Sequence, residues 1–146
     1  MTPTRFHLSF CVSDLEATRR FYKDLLQCPE GRSSASTVDF SFWGHQLTCH
    51  LAPGRVRAAS AESLDGSHFG AILPHDEFQR VAARLQAANV PFIKPPAGTE
   101  LGTAAEQWRM VFTDPSGNAI ELKVYRDESK IFSVPAASSL PDGSPR

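Results

Sequence analysis

Four residues with metal-binding side chains stand in segments where every second residue is apolar. These residues are His7, His50, His68 and Glu121, and the alternation around each of them predicts a half-buried strand with one polar face. Two neutral imidazoles and one carboxylate suit a divalent first-row metal and leave coordination positions open for substrate and oxygen. We therefore predict His7, His68 and Glu121 as metal ligands. His50 is predicted either as a further ligand or as an acid/base group beside the metal.

The spacing of these residues indicates a duplicated plan. His7 and His68 are 61 residues apart, and His50 and Glu121 are 71 apart, so we expect each pair to occupy the same point of two repeated units. A lone strand histidine is more often an ordinary surface group, and the interpretation depends on this joint placement. The sequence lacks the closely spaced Cys and His pairs of structural zinc sites, which favours a catalytic site.

The elements that position these residues follow the order strand, helix, strands, and this order occurs twice. In the first unit, Asp14 belongs to a capping-box pattern that begins a helix over 14–26. In the second unit, Asp76 is predicted to cap a helix that extends to Ala88. A turn is predicted at Gly44-His45. The predicted strands are 6–12, 38–43 and 46–51, with a weaker one near 33–37, and then 68–73, 90–93, 107–112 and 119–124.

This order predicts an α+β fold in one domain over residues 1–126. The first module covers about 5–53 and the second about 66–126, and the tail 127–146, poor in large apolar residues, is expected to be flexible or to lie on the surface. With the helices on one face of the sheet, the other face is free to curve into a concave pocket. The ligand-type side chains would converge there although they are far apart in sequence.

Other polar side chains have the same strand parity as the predicted ligands. Gln107, Thr48 and Trp43 are predicted on this basis to line the pocket and contact substrate. Arg109 and Lys123 share the polar face of their strands. They indicate either a clamp for a carboxylate or enolate, with Arg109 contacting substrate, or ordinary solvated cations.

Composition excludes several classes of protein. The chain has 146 residues, a formal net charge of −1 and no block of basic residues, so nothing predicts a nucleic-acid partner. No run approaches the roughly 18 apolar residues of a membrane span, and the three cysteines form neither a disulfide framework nor a C-x-x-C motif. We expect a soluble protein of a reducing cytoplasm.

Two segments resemble the vicinal-oxygen-chelate superfamily, which includes glyoxalase I, extradiol dioxygenases and bleomycin-resistance proteins. The opening FHLSFCVSDLEATRRFYKDLLQC is similar to the first strand and helix of that family. The segment FTDPSGNAIELK is similar to its final hairpin, in which the Glu of IEL is a metal ligand. The resemblance extends over roughly residues 6–126. It implies paired βαβββ modules that form a curved, mixed eight-stranded sheet around a metal.

The resemblance also implies an activity. Glyoxalase I commonly has Glu where this chain has His50, which disfavours a glyoxalase, whereas His-His-Glu is the set that extradiol dioxygenases use with Fe(II). We therefore expect a mononuclear metal enzyme acting on a small catechol or enediol, with Fe(II) favoured and Mn(II), Zn(II) or Ni(II) as alternatives, in a homodimer. A glyoxalase-like lyase or isomerase and a non-enzymatic small-molecule binding protein are the alternatives.

Overall fold

The computed structural model describes residues 1–62 and 67–134, and contains eight strands and two α-helices. The first module holds β1 (His7–Val12), α1 (Leu15–Arg19), β2 (Glu30–Ser33), β3 (Thr37–Phe42) and β4 (His45–Leu51). The second holds β5 (Phe69–Ile72), α2 (His75–Ala87), β6 (Phe92–Thr99), β7 (Gln107–Thr113) and β8 (Ala119–Tyr125). A π-helical segment Arg20–Leu25 continues α1, and short 3₁₀ turns lie at Pro53–Arg55 and Glu128–Lys130.

Each module forms its own four-stranded mixed sheet. The strand orders are β1-β4-β3-β2 and β5-β8-β7-β6, with the first and last strands of each module parallel and the other pairs antiparallel. The α+β class and the two βαβββ modules are confirmed. In the described residues no strand pairing joins the two sheets, so the eight strands do not form one continuous sheet within this chain.

Local chemistry explains how the first helix starts. Asp14 is extended and its carboxylate accepts a hydrogen bond from the backbone N–H of Ala17 at 2.8 Å, which satisfies one of the free donors of the first turn. The helix predicted over 14–26 is present, but it is α-helical only to Arg19 and π-helical from Arg20 to Leu25. The alternation of apolar residues did not distinguish these two helical forms.

Two predicted features of the first module are shifted. The turn between β3 and β4 is at Trp43-Gly44. The φ angles are 46° for Trp43 and 88° for Gly44, and a two-residue hairpin loop of type I′ requires positive φ at both central residues. The weak strand expected near 33–37 ends at Ser33. Beyond it the side chain of Ser34 accepts a hydrogen bond from the N–H of Thr37 at 3.1 Å, and such serine contacts favour a turn over a strand.

The second module also differs from prediction at two element ends. Its helix begins at His75 after Pro74, so Asp76 lies in the first turn and is not the cap. The strand predicted over 90–93 extends from Phe92 to Thr99 through two prolines. Proline is tolerated there because β6 is an edge strand, with β7 as its single neighbour.

The apolar faces of both sheets and both helical segments share one core. Phe10 of β1 lies 5.1 Å from Phe69 of β5 between ring centroids, and Phe21 contacts Phe112 of β7. Since the two apolar faces meet in this core, the polar face of each sheet points away from it. The buried residues that form the core include Val12, Tyr22, Phe40, Leu47, Phe78, Leu85, Met110, Phe112, Ile120 and Leu122.

A buried polar contact joins the modules within this core. The hydroxyl of Tyr22 donates to Oδ2 of Asp114 at 3.0 Å. Asp114 also accepts from the N–H groups of Ser116 and Asn118, each at 2.9 Å. Burial raises the pKa of Asp114 above its usual range, and these hydrogen bonds, including the one from Tyr22, oppose that rise.

None of the described helices is long and apolar enough to cross a membrane. The predicted start of the second module near residue 66 and most of the predicted flexible tail, from residue 135 onward, lie outside the described residues.

We predict that Tyr22→Phe lowers the free energy of unfolding by about 1–2 kcal/mol at pH 7, because Asp114 loses one donor and keeps the others. Without this donor the folded-state pKa of Asp114 rises further, and a raised folded pKa removes stability as pH increases. The penalty should therefore be larger at pH 7 than at pH 4. Urea unfolding of wild type and variant at pH 7 and at pH 4 measures this penalty.

Tyr125→Phe is the matched control, because the Tyr125 hydroxyl has no hydrogen-bond partner in the described part of the chain. Equal stability losses in the two variants would show that the contact between Tyr22 and Asp114 does not stabilise the packing of the modules.

Candidate metal centre

Two of the predicted ligands are in contact on the polar face of the second sheet. Nε2 of His68, directly before β5, lies 3.0 Å from Oε2 of Glu121 on β8, and the side chains are 38% and 16% exposed. A small cavity of about 270 Å³ is open beside them and also contacts Lys123. The pair is therefore close together, with His68 directly before β5 and Glu121 within β8, and it is accessible from solvent.

Gly70 explains how β5 lies so close to β8. It pairs with Glu121 across the parallel strands, and a Cβ atom at this position would overlap the carbonyl oxygen of Glu121. A glycine inside a strand often marks such a close backbone approach. The absence of a side chain at Gly70 therefore allows the spacing that brings His68 to Glu121.

His7 lies on the polar face of the other sheet. It is exposed at the start of β1 and lines a cavity of about 550 Å³ together with Arg5, Asp39 and Gln46. No three His, Cys, Asp or Glu side chains come together as a metal site anywhere in residues 1–62 and 67–134. The convergence of four ligand-type groups expected from the sequence therefore does not occur within a single chain.

The strand registers show which residues occupy equivalent points of the two modules. Glu121 pairs with Gly70 on β5, and the residue at the same place on β1 is Ser9, which pairs with Thr48. Thr48 is therefore the counterpart of Glu121 in the first module. The predicted equivalence of His50 and Glu121 is wrong by two residues, because the connections within the modules differ in length.

His50 lies farther along β4 than this point. It pairs with Cys11, whereas His7 pairs with Gln46, so His7 and His50 are four residue pairs apart, or about 13 Å along the strands. His50 is exposed and lines a cavity of about 480 Å³ with Cys11 and Arg55. Within one module the two histidines therefore do not bind one metal ion together.

Asp39 organises the polar face of the first sheet, a role that was not predicted from the sequence. Thr48 Oγ1 donates to Oδ1 of Asp39 at 2.7 Å, and Gln46 Nε2 donates to Oδ2 at 3.1 Å. The carboxylate is buried although it is on the polar face. Its position on the alternating strand β3 was a signal that could have identified it. These contacts hold Thr48 in place beside Ser9, at the point that matches Glu121.

The predicted substrate-contacting residues divide into two groups. Gln107, Arg109 and Lys123 line one cavity of about 310 Å³ on the polar face of the second sheet. Trp43 is not on a polar face, because its left-handed φ of 46° ends the alternation of β3. Its ring lies 4.6 Å from that of Phe42 between centroids and packs against the core.

Comparison with known protein families identifies the family to which this fold belongs. The profile of the Glyoxalase/Bleomycin resistance protein/Dioxygenase superfamily matches residues 5–122. The chain belongs to this superfamily. The match covers both βαβββ modules, and it confirms the resemblance seen in the sequence. No curated protein sequence is significantly similar to this chain.

Several solved structures have the same fold as this chain. A glyoxalase/bleomycin resistance protein/dioxygenase from Alicyclobacillus acidocaldarius is 27% identical, with a TM-score of 0.77 over 88% of this chain and 96% of that one. The fosfomycin resistance protein FosX from Listeria monocytogenes is 18% identical (TM-score 0.65, 85% and 94% covered). A lactoylglutathione lyase from Agrobacterium tumefaciens is 17% identical (TM-score 0.61, 86% and 96% covered).

We predict that Gly70→Ala lowers the free energy of unfolding by about 1–3 kcal/mol, because the new methyl group must push β5 away from the Glu121 backbone. Thermal and urea unfolding measure this loss. Gly54→Ala is the control, since a Cβ there meets no atom within 4 Å, and its change should stay within about 0.5 kcal/mol. If both variants were equally stable, β5 would not need the close approach at Gly70.

Proposed function

We propose that this protein is a mononuclear divalent-metal enzyme that acts, like an extradiol dioxygenase, on a small substrate with two vicinal oxygens. The observation that carries the proposal is the contact between Nε2 of His68 and Oε2 of Glu121 at 3.0 Å on an accessible face. An imidazole and a carboxylate at this distance offer two donors of the types that first-row metals bind. His7 offers the third donor at the matching point of the first module.

The three proposed ligands belong to two copies of the chain. The polar faces that bear His7 and the His68–Glu121 pair point away from one shared core, so folding of one chain keeps them apart. A symmetric dimer can place the first module of one copy against the second module of the other, and two-fold symmetry then repeats this contact. We propose a homodimer with two such sites, each with His7 from one protomer and His68 and Glu121 from its partner.

The roles of the chain's own groups follow from this arrangement. A bound divalent metal supplies Lewis acidity and a template for two oxygens. His68 and Glu121 fix the orientation of each other's side chain, and the parallel pairing of β5 and β8 sets their spacing. Thr48, held by Asp39, presents a hydroxyl where the second module presents a carboxylate. His50 is the proposed base that accepts a proton from substrate.

The ligand count favours an oxygenase over a glyoxalase-like enzyme. Thr48 is the counterpart of Glu121, and its hydroxyl is already bound to Asp39 at 2.7 Å, so the first module offers His7 and no second strong ligand at that point. Three ligands leave room for both a chelating substrate and oxygen. We propose Fe(II) as the metal, with Mn(II), Zn(II) and Ni(II) as the alternatives to be measured.

We predict that His7→Ala, His68→Ala and Glu121→Ala each lower metal affinity at least about tenfold, since each removes one ligand of an open site. Titration calorimetry with Mn(II) and Zn(II) measures the affinity, and circular dichroism checks the fold. His75→Ala is the matched control, because His75 is exposed on α2 and contacts Gln79. Unchanged affinity in all three variants would remove the proposed site.

Mixing two of these variants tests whether the site spans two chains. A heterodimer of His7→Ala and Glu121→Ala contains one site with every ligand intact and one that lacks two ligands. Random exchange of subunits should therefore restore about one quarter of the wild-type sites, while each variant alone restores none. If all ligands came from the same chain, mixing would restore no binding.

We predict oxygen uptake by the Fe(II)-loaded protein with at least one catechol of a panel. His50→Ala should keep its metal, because His50 is not at the ligand point of β4, and should lose turnover by about 10²–10⁴-fold as expected for a lost base. An oxygen electrode and metal analysis give the two readouts. Product formation without oxygen uptake would favour a glyoxalase-like enzyme, and tight ligand binding without metal would favour a non-enzymatic binding protein.

A further inference from the structure

Two cations lie directly opposite each other on the polar face of the second sheet. Arg109 of β7 pairs with Lys123 of β8, and neither side chain has an acidic partner within the described ranges 1–62 and 67–134. Like charges at directly paired positions of an antiparallel ladder destabilise it. Lys123 Nζ lies 5.2 Å from the centroid of the Tyr125 ring, a contact that leaves its charge in place. A fold that keeps two like charges side by side without an acidic partner loses stability at that point, which is typical of a binding site.

The surrounding groups do not neutralise this charge. The cavity of about 310 Å³ at the pair is lined by Thr99 and Gln107, which are uncharged hydrogen-bonding groups. The carboxylate of Glu106, just before β7, is bound by Trp108 Nε1 at 3.0 Å and by Arg126 at 3.3 Å. The cavity therefore has two cations, neutral donors and no carboxylate among its lining residues.

The cation pair is adjacent to the proposed metal ligands. Lys123 follows Glu121 by two residues on the same face of β8, a separation of about 7 Å. Lys123 also lines the cavity of about 270 Å³ that contains His68 and Glu121. The two cavities therefore share Lys123, and a small molecule can contact the His68–Glu121 pair and the cations together.

We propose that Arg109 and Lys123 bind the anionic group of the substrate. The substrate is then a small molecule with two vicinal oxygens at one end and a carboxylate or phosphonate at the other. Arginine suits bidentate contact with either anion, and lysine adds a point charge. The vicinal-oxygen part rests on the proposed function, whereas the anion contact depends only on the two cations and their cavity.

The anion contact is tested first on metal-free protein. Samples that contain acetate or methylphosphonate are compared with samples that contain chloride at equal ionic strength, so that electrostatic screening is the same in all of them. We expect at least one of the two anions to raise the melting temperature above the chloride value in wild type, and the larger rise identifies the preferred anion. Arg109→Gln and Lys123→Gln should abolish the rise.

The same variants distinguish a binding role from a structural one. Without anion, Arg109→Gln should melt at the wild-type temperature or slightly above it, because it removes the like-charge contact. Lys123→Gln should melt close to the wild-type temperature, because it removes that contact and also the contact of Lys123 with the Tyr125 ring. Arg20→Gln is the matched control, since Arg20 is an exposed cation of the other module, and it should keep the anion effect. If wild type gains no more from acetate or methylphosphonate than from chloride, the proposal is wrong.

The second test uses Mn(II)-loaded protein and two probes that differ only by a carboxylate, catechol and 3,4-dihydroxybenzoate. We expect wild type to bind the carboxylate-bearing probe about tenfold more tightly. Arg109→Gln should lose this preference and keep its affinity for catechol and metal. Equal affinity of wild type for both probes would overturn the proposal. Failure of the protein to bind Mn(II) would count against the proposed function, and the metal-free experiment would then decide whether the anion contact exists.

Discussion

The core shared by the two sheets is the constraint on which the rest of the structure depends. Each sheet is apolar on one face, and both apolar faces are buried together with the helical segments. Burial of this surface is the dominant favourable contribution to folding, so the polar faces point outward and apart. The division of the ligand-type residues between two surfaces follows from the way the core is formed.

A buried hydrogen bond fixes how the modules meet in that core. Tyr22 is fully buried and its hydroxyl is bonded to Asp114 of the other module. Burial, together with the charge of Asp114, raises the pKa of Tyr22 well above its usual range, so the phenol stays protonated and remains a donor. Asn118, near Asp114, also donates to the backbone oxygen of Cys11 at 3.1 Å. The turn before β8 is thus bound to the end of β1.

The sequence predicted the features that depend on local alternation and failed where tertiary register decides. It identified both modules, seven of the eight strands and the polar faces that carry His7, His68 and Glu121. The sequence predicted that His50 is the counterpart of Glu121, whereas the strand register makes Thr48 its counterpart. Thr48 and His50 have the same parity, so alternation cannot distinguish them, and a shift of two residues appears only when the strands pair.

Other differences have equally physical causes. By the alternation of β3, Trp43 would lie on the polar face and line the pocket. The hairpin requires a left-handed conformation at Trp43, however, and its ring packs against the core. Asp39 was not selected because a single carboxylate on a strand is usually solvated. The hydrogen bonds that bury it come from Thr48 and Gln46 on the neighbouring strand.

The three cysteines differ in how readily a reagent reaches them. Cys28 and Cys49 are buried, and burial raises the pKa of Cys28 to about 12 and that of Cys49 higher still, so neither forms thiolate at neutral pH. Cys11 is half-buried and lies on the polar face of β1 with His7. A maleimide dye or spin label therefore attaches at one position without any engineered substitution. If the chain forms the proposed homodimer, two such labels would report the separation between its two β1 strands.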